Sequence, residues 1–135
     1  MIRRHDWLER LQELVQSRMT VPFEYGVNEC CTFCADAVLA MTGHDPMSHL
    51  RGKWSSEREA LKVLKNLGGL LNAVLDVLGP SHDPNYSQRG DVVYVTGDRD
   101  SLLTVNMGEY LMAPSKSGMA YLALSTAHSS WAIGR

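Results

Sequence analysis

Apolar positions recur at helical spacing in the first half of this chain and shorten towards alternation in the second. Trp7, Leu8, Leu11, Leu14 and Val15 share one face behind a candidate Asp6-Trp7-Leu8-Glu9 cap, which predicts a first helix over about 6–18. Pro22 and Gly26 interrupt the chain before a second helix, for which Asn28 is the candidate cap. There Cys31, Cys34, Ala35, Val38 and Leu39 form a stripe directed at the core, and Cys30 falls on its flank with Phe33, Ala37 and Met41. Gly43 ends that helix. Ser56-Glu57-Arg58-Glu59 is a capping box for a third helix carrying Ala60, Leu61, Leu64 and Leu67, closed by Gly68-Gly69. A short apolar fourth helix, about 70–78, ends at Gly79-Pro80.

Beyond Pro80 the chemistry is that of turns and strands. Asp83-Pro84-Asn85 and Gln88-Arg89-Gly90 are turn sequences. The pattern then predicts strands near 91–96, 102–107, 109–113, 118–124 and 131–134, joined at Gly97-Asp98, Gly108 and Ser115-Lys116-Ser117-Gly118. Helices first and consecutive short strands afterwards predict an α+β domain, an antiparallel sheet with helices on one side. The organisation expected is a single domain over 1–135: an N-terminal helix (1–20), a helical half with the cysteine turn (21–79) and the sheet (80–135).

Composition narrows the function classes. The chain has 135 residues, 44% hydrophobic and 21% charged, with a net charge of -2, and so lacks the basic excess of a nucleic-acid binder. Its opening residues are polar and amphipathic, and no stretch reads as a signal peptide or a bilayer span, which predicts a soluble protein made in the cytosol. An odd number of cysteines confined to one turn fits a reducing compartment and no long-range disulfide.

Those cysteines are the candidate chemistry. Cys30, Cys31 and Cys34 open the second helix, where the partial positive charge of a helix start stabilises a thiolate. Cys30 is the candidate nucleophile and Tyr25 a candidate polar support, whereas Cys31 and Cys34 belong to the apolar stripe. Cys31-Thr32-Phe33-Cys34 also spells the Cys-x-x-Cys redox arrangement, but that fold needs a strand before the motif and Pro22 to Glu29 reads as a turn. A zinc or iron–sulfur site would need a fourth ligand, such as His44 or His49. No cofactor is expected. His5, His44, His49 and His82 read as solvated, and His128 is the one histidine of the sheet half with any route to Cys30. Asp98, Arg99 and Asp100 read as a solvated hairpin tip, Trp54 and Trp131 as core or interface anchors.

The order of parts is a Tyr-Gly turn, an acidic residue before a cysteine at a helix start, then Arg89-Gly90-Asp91-Val92-Val93-Tyr94 opening a sheet. Over roughly residues 21–135 this resembles the NlpC-type, papain-like cell-wall cysteine peptidases, and most of all their short relatives encoded among phage tail genes. The resemblance implies that Glu29 stands for the aspartate before the nucleophile, Cys30 for the nucleophile, Cys31-Thr32 for Ser-Gly, and Gly90-Asp91 for the strand opener. It also implies a histidine base on the second strand. Leu102, in Leu102-Leu103-Thr104-Val105-Asn106-Met107-Gly108, occupies that position, and Met112-Ala113 stands where a third polar group would orient an imidazole. Losing such acid–base help costs about 10²–10⁴-fold in rate. The expectation is therefore a structural component of a phage tail tip or baseplate, assembled in the host cytoplasm, on a catalytically degenerate NlpC-like fold. Its expected partners are other tail or baseplate proteins. The alternatives are an active peptidase or amidase cleaving peptidoglycan as the genome enters the cell, and a metal or cluster site at the three thiols.

Overall fold

Four helices form where glycine, proline and capping residues punctuate the apolar pattern, and a five-stranded antiparallel sheet follows them. The computed structural model describes residues 1–97 and 100–135, so the predicted Gly97-Asp98 turn and the tip at Asp98 and Arg99 lie outside the described residues in part. Helix α1 (Trp7–Arg18) buries Leu11 and Val15 and rests Trp7 and Leu14 on the same core. The expected Asp6 cap does not form. Both oxygens of Asp6 accept from Arg10 Nε at 2.9 Å, one turn along the helix, and leave the helix start without a side-chain cap.

Helix α2 (Cys30–Thr42) is capped by Glu29 instead of Asn28. Asn28 is buried, accepting from Arg18 Nη1 at 3.1 Å and donating to the Val21 carbonyl at 3.2 Å. The α2 stripe is buried as expected at Cys34, Ala35 and Val38, but the buried face is wider than the stripe and excludes Leu39. Leu39 is 40% exposed, while Phe33, Ala37 and Met41, on the line of Cys30, are fully buried against the sheet. Apolar residues surround most of this helix, so periodicity alone cannot choose its buried face. Helix α3 (Glu57–Asn66) starts as predicted, with Ser56 Oγ accepting from the Glu59 N–H at 3.2 Å. The short helix α4 (Leu70–Leu78) contributes Ala73 and Val74 to the interior.

Strands β1 (Val92–Thr96), β2 (Ser101–Asn106), β3 (Leu111–Ser115), β4 (Gly118–Leu122) and β5 (Ala127–Trp131) lie in the order β4-β3-β2-β1-β5. Val92, Tyr94, Leu103, Val105, Met112 and Trp131 face the helices, whereas Val93, Val95 and Leu111 pack on the opposite face. Two strands depart from expectation. β3 runs on to Ser115 through Pro114, and β5 begins four residues early, because its His128-Ser129-Ser130 segment pairs with β1 despite its polarity. Trp54 and Trp131 are core anchors, and the Trp131 indole donates to the Gly79 carbonyl at 2.9 Å.

Asp91, at the mouth of β1, gathers both chain ends. Its carboxylate is fully buried and accepts from Arg3 Nη2 at 3.2 Å, Arg135 Nε at 3.0 Å, Arg135 Nη2, and the N–H groups of Gln88 and Ile133. Arg3 also donates to the Ile133 carbonyl at 2.7 Å and stacks on Trp7 at 4.1 Å. Gly90 must be glycine: its φ is +92°, and a Cβ would lie 2.8 Å from Arg3 Nη2 and 3.0 Å from Met41 Sδ. His82, expected on the solvated surface, instead turns a buried Nε2 without a hydrogen-bond partner towards Asp91, 4.0 Å away. Removing the carboxylate leaves the Arg3 and Arg135 guanidinium groups without their buried partner, so Asp91→Ala should destabilise the fold by about 3–5 kcal/mol. Urea denaturation checks this, and a loss below about 1 kcal/mol would show that the clasp contributes little.

Candidate functional site

Glu29 builds the site. Its carboxylate accepts from the Thr32 N–H at 2.8 Å, the Gly26 N–H at 2.6 Å and Trp54 Nε1 at 3.2 Å, while the Glu29 N–H donates back to Thr32 Oγ1 at 3.0 Å. One buried group thus holds the Tyr25-Gly26 turn, the start of α2 and the loop carrying Trp54. Glycine is required at 26, where φ is +83° and a Cβ would meet the Trp54 carbonyl oxygen at 2.3 Å. Tyr25 stacks edge-on against Phe23 at 5.0 Å, with the Lys116 ammonium 6.0 Å from its ring, and Lys116 pairs with Glu57 at 3.3 Å. Burial, and then the Glu57 charge, push the Tyr25 hydroxyl above its usual range.

Cys30 takes the first helical position, partly buried and packed against the main core. Its sulfur lies 4.0 Å from Cys31 Sγ. A hydrogen bond from Cys31, helped by the backbone N–H groups of Leu103 and Cys31, holds the Cys30 thiol below the usual cysteine range, against burial and the Glu29 charge. Cys31 is pushed well up as the donor of that bond and by burial, and Cys34 by burial first. Both line an apolar cavity of about 50 Å³ bounded by Met47, Leu50, Trp54 and Val74, where a charge would find no solvation.

The Leu103 amide lies beyond the paired part of β2 and β3. The β2–β3 register pairs Val105 with Met112, which puts Leu103 opposite Pro114. Proline has no N–H to give the Leu103 carbonyl, and pairing between β2 and β3 stops at Val105; the Leu103 N–H helps hold the Cys30 pKa down. The side chain on the helix-facing side is also Leu103; Leu102, the residue in the position expected of the histidine, lies on the other face by strand alternation.

No imidazole reaches this sulfur. His5, His44 and His49 are exposed, and His82 sits at Asp91. His128 packs edge-on against Tyr94 at 5.6 Å and meets Ser129 Oγ at 2.7 Å. Among the described residues, Cys31 is the only side chain within hydrogen-bond reach of Cys30 Sγ. Nor do three or more His, Cys, Asp or Glu side chains among the described residues converge as metal ligands. Cys31 and Cys34 follow a turn and enter an antiparallel domain, which lacks the strand that a thioredoxin-type motif needs before it.

What results is an α+β domain presenting a thiol of lowered pKa at a helix start, with an aliphatic strand residue across from it. The family described as Domain of unknown function (DUF6950) matches residues 2–133, and the chain belongs to that family. No curated protein matches it. No helix is long and apolar enough to cross a membrane, among the described residues.

The Cys31 bond is the largest cause lowering the Cys30 pKa, so Cys31→Ala should move it upward. Iodoacetamide labelling of Cys30 at pH 7, followed by mass spectrometry, should slow by roughly 3–10-fold as the thiolate fraction falls. An unchanged or faster rate would remove Cys31 from the account.

Proposed function

We propose that this chain is a non-catalytic structural component of a phage tail tip or baseplate, built on an NlpC-like α+β domain that docks against other tail proteins. One observation carries the non-catalytic part: among the described residues the Cys30 sulfur meets a thiol, backbone amides and Leu103, and no imidazole or carboxyl. A thiolate can attack a carbonyl, but expelling an amine needs an acid to protonate it. The tail assignment and the NlpC-like fold rest on the order of parts: a Tyr-Gly turn, Glu29-Cys30 at a helix start, then Gly90-Asp91 opening an antiparallel sheet.

The lowered Cys30 pKa favours a second reading, a cysteine peptidase or amidase acting on peptidoglycan with Tyr25 as support. That enzyme would need a base from outside the described contacts of this chain. Purified protein should release no detectable product from peptidoglycan fragments. Cys30→Ala should leave virion assembly and infectivity within about 2-fold of wild type, a change of at most some 0.4 kcal/mol in any coupled equilibrium. Cleavage that Cys30→Ala abolishes would establish the enzyme instead.

A further inference from the structure

The two edges of the sheet are finished differently. At β5 the segment after α4 covers the edge, where His82 and Ser130 exchange backbone hydrogen bonds at 2.8 and 3.2 Å. At β4 no backbone group among the described residues pairs with the outer side. The β3–β4 ladder closes from Leu111↔Leu122 to Ser115↔Gly118 over a two-residue turn. In that register the N–H and C=O of Ala120 face β3, and those of Met119 and Tyr121 face outward. Gly118-Met119-Ala120-Tyr121-Leu122 contains no charge and no proline, and its ladder no bulge, although these are the usual devices that blunt an edge. Two exposed tyrosines stand beside it. Tyr110 and Tyr121 are 49% and 51% exposed, with rings edge-to-face at 6.0 Å, and the Tyr121 hydroxyl lies 3.6 Å from Met19 Sδ.

We propose that β4 is the contact surface of a two-fold dimer, in which a second copy of this chain adds its own β4 antiparallel, with Ala120 opposite Ala120. The sequence around that axis is self-complementary. Met119 falls opposite Tyr121 of the second copy, and Tyr121 opposite its Met119, so the outward N–H and C=O groups of both residues meet as hydrogen-bonded pairs. Each pair also sets a thioether beside an aromatic ring, a favourable contact on the helix-facing side. No like charges oppose one another within the strand. Because β5 is covered, the pairing consumes the one open edge among the described residues, and the assembly closes at two copies instead of growing into a fibre. This interface is independent of whether Cys30 has any activity.

Light scattering of the full chain, eluted at roughly 5–200 µM, should show a mass rising towards twice the 15.0 kDa of one chain. Ala120→Cys tests the register, since facing residues of a non-hydrogen-bonded antiparallel pair lie about 4.5 Å apart at Cα, within disulfide range. Mild oxidation should convert this variant to a covalent dimer joined at Cys–Cys across the axis, while Ser125→Cys should remain uncrosslinked. Tyr121→Pro removes an outward N–H together with the ring set beside Met119 of the second copy, and should weaken dimerisation at least 10-fold with the circular dichroism unchanged. A monomer at the highest concentration, a dimer that Ala120→Cys does not crosslink, or a folded Tyr121→Pro that dimerises as before would each overturn the proposal. If Tyr121→Pro does not fold, the crosslink decides alone.

Discussion

The buried Glu29 carboxylate is the constraint on which the site depends. Three donors from three segments converge on it: the Gly26 amide of the turn, the Thr32 amide of α2 and the Trp54 indole of the following loop. An ionised carboxylate is tolerated in such a place only when its oxygens are satisfied, and satisfying them fixes where α2 begins. Cys30 therefore sits at the first helical position, where N–H groups aim at its sulfur. The same charge opposes the thiolate beside it. The bond from Cys31 lowers the Cys30 pKa and the Glu29 charge raises it, with the net shift downward.

The sheet determines what that thiolate can do. Pairing between β2 and β3 stops at Val105, and the Leu103 amide beyond it lowers the thiol pKa from a strand that supplies no side-chain proton carrier. Stabilising an anion and relaying a proton are separate tasks, and only the first is provided for here. The Asp91 clasp operates at a distance from this centre. It ties Arg3 and Arg135 to the mouth of β1.

Much of the fold was legible in the amino-acid order because glycine and proline punctuate it: Gly43, Gly68-Gly69 and Gly79-Pro80 end helices where expected. The cap of α2 was not, since glutamate is an uncommon N-cap and becomes one here only through Trp54, 25 positions away. The start of the fifth strand was hidden by His128-Ser129-Ser130, whose pairing with β1 is a tertiary fact. At the site, Cys30 and its place at the helix start could be read directly, and so could the lack of a histidine on the second strand. Which leucine faces the sulfur could not be read, because a one-residue change of register exchanges the two faces of a strand and moves that place from Leu102 to Leu103. The role of Cys31 as hydrogen-bond donor was equally hidden, since spacing had assigned it to the apolar stripe.

The central claim is that the Cys30 sulfur has no imidazole partner. Titrating the ring signals of all five histidines by NMR, in wild type and in Cys30→Ala, tests it most directly. The account predicts five midpoints that coincide between the two proteins. A histidine whose midpoint falls when the sulfur is removed would be an imidazolium that the thiolate had been stabilising, and would contradict it.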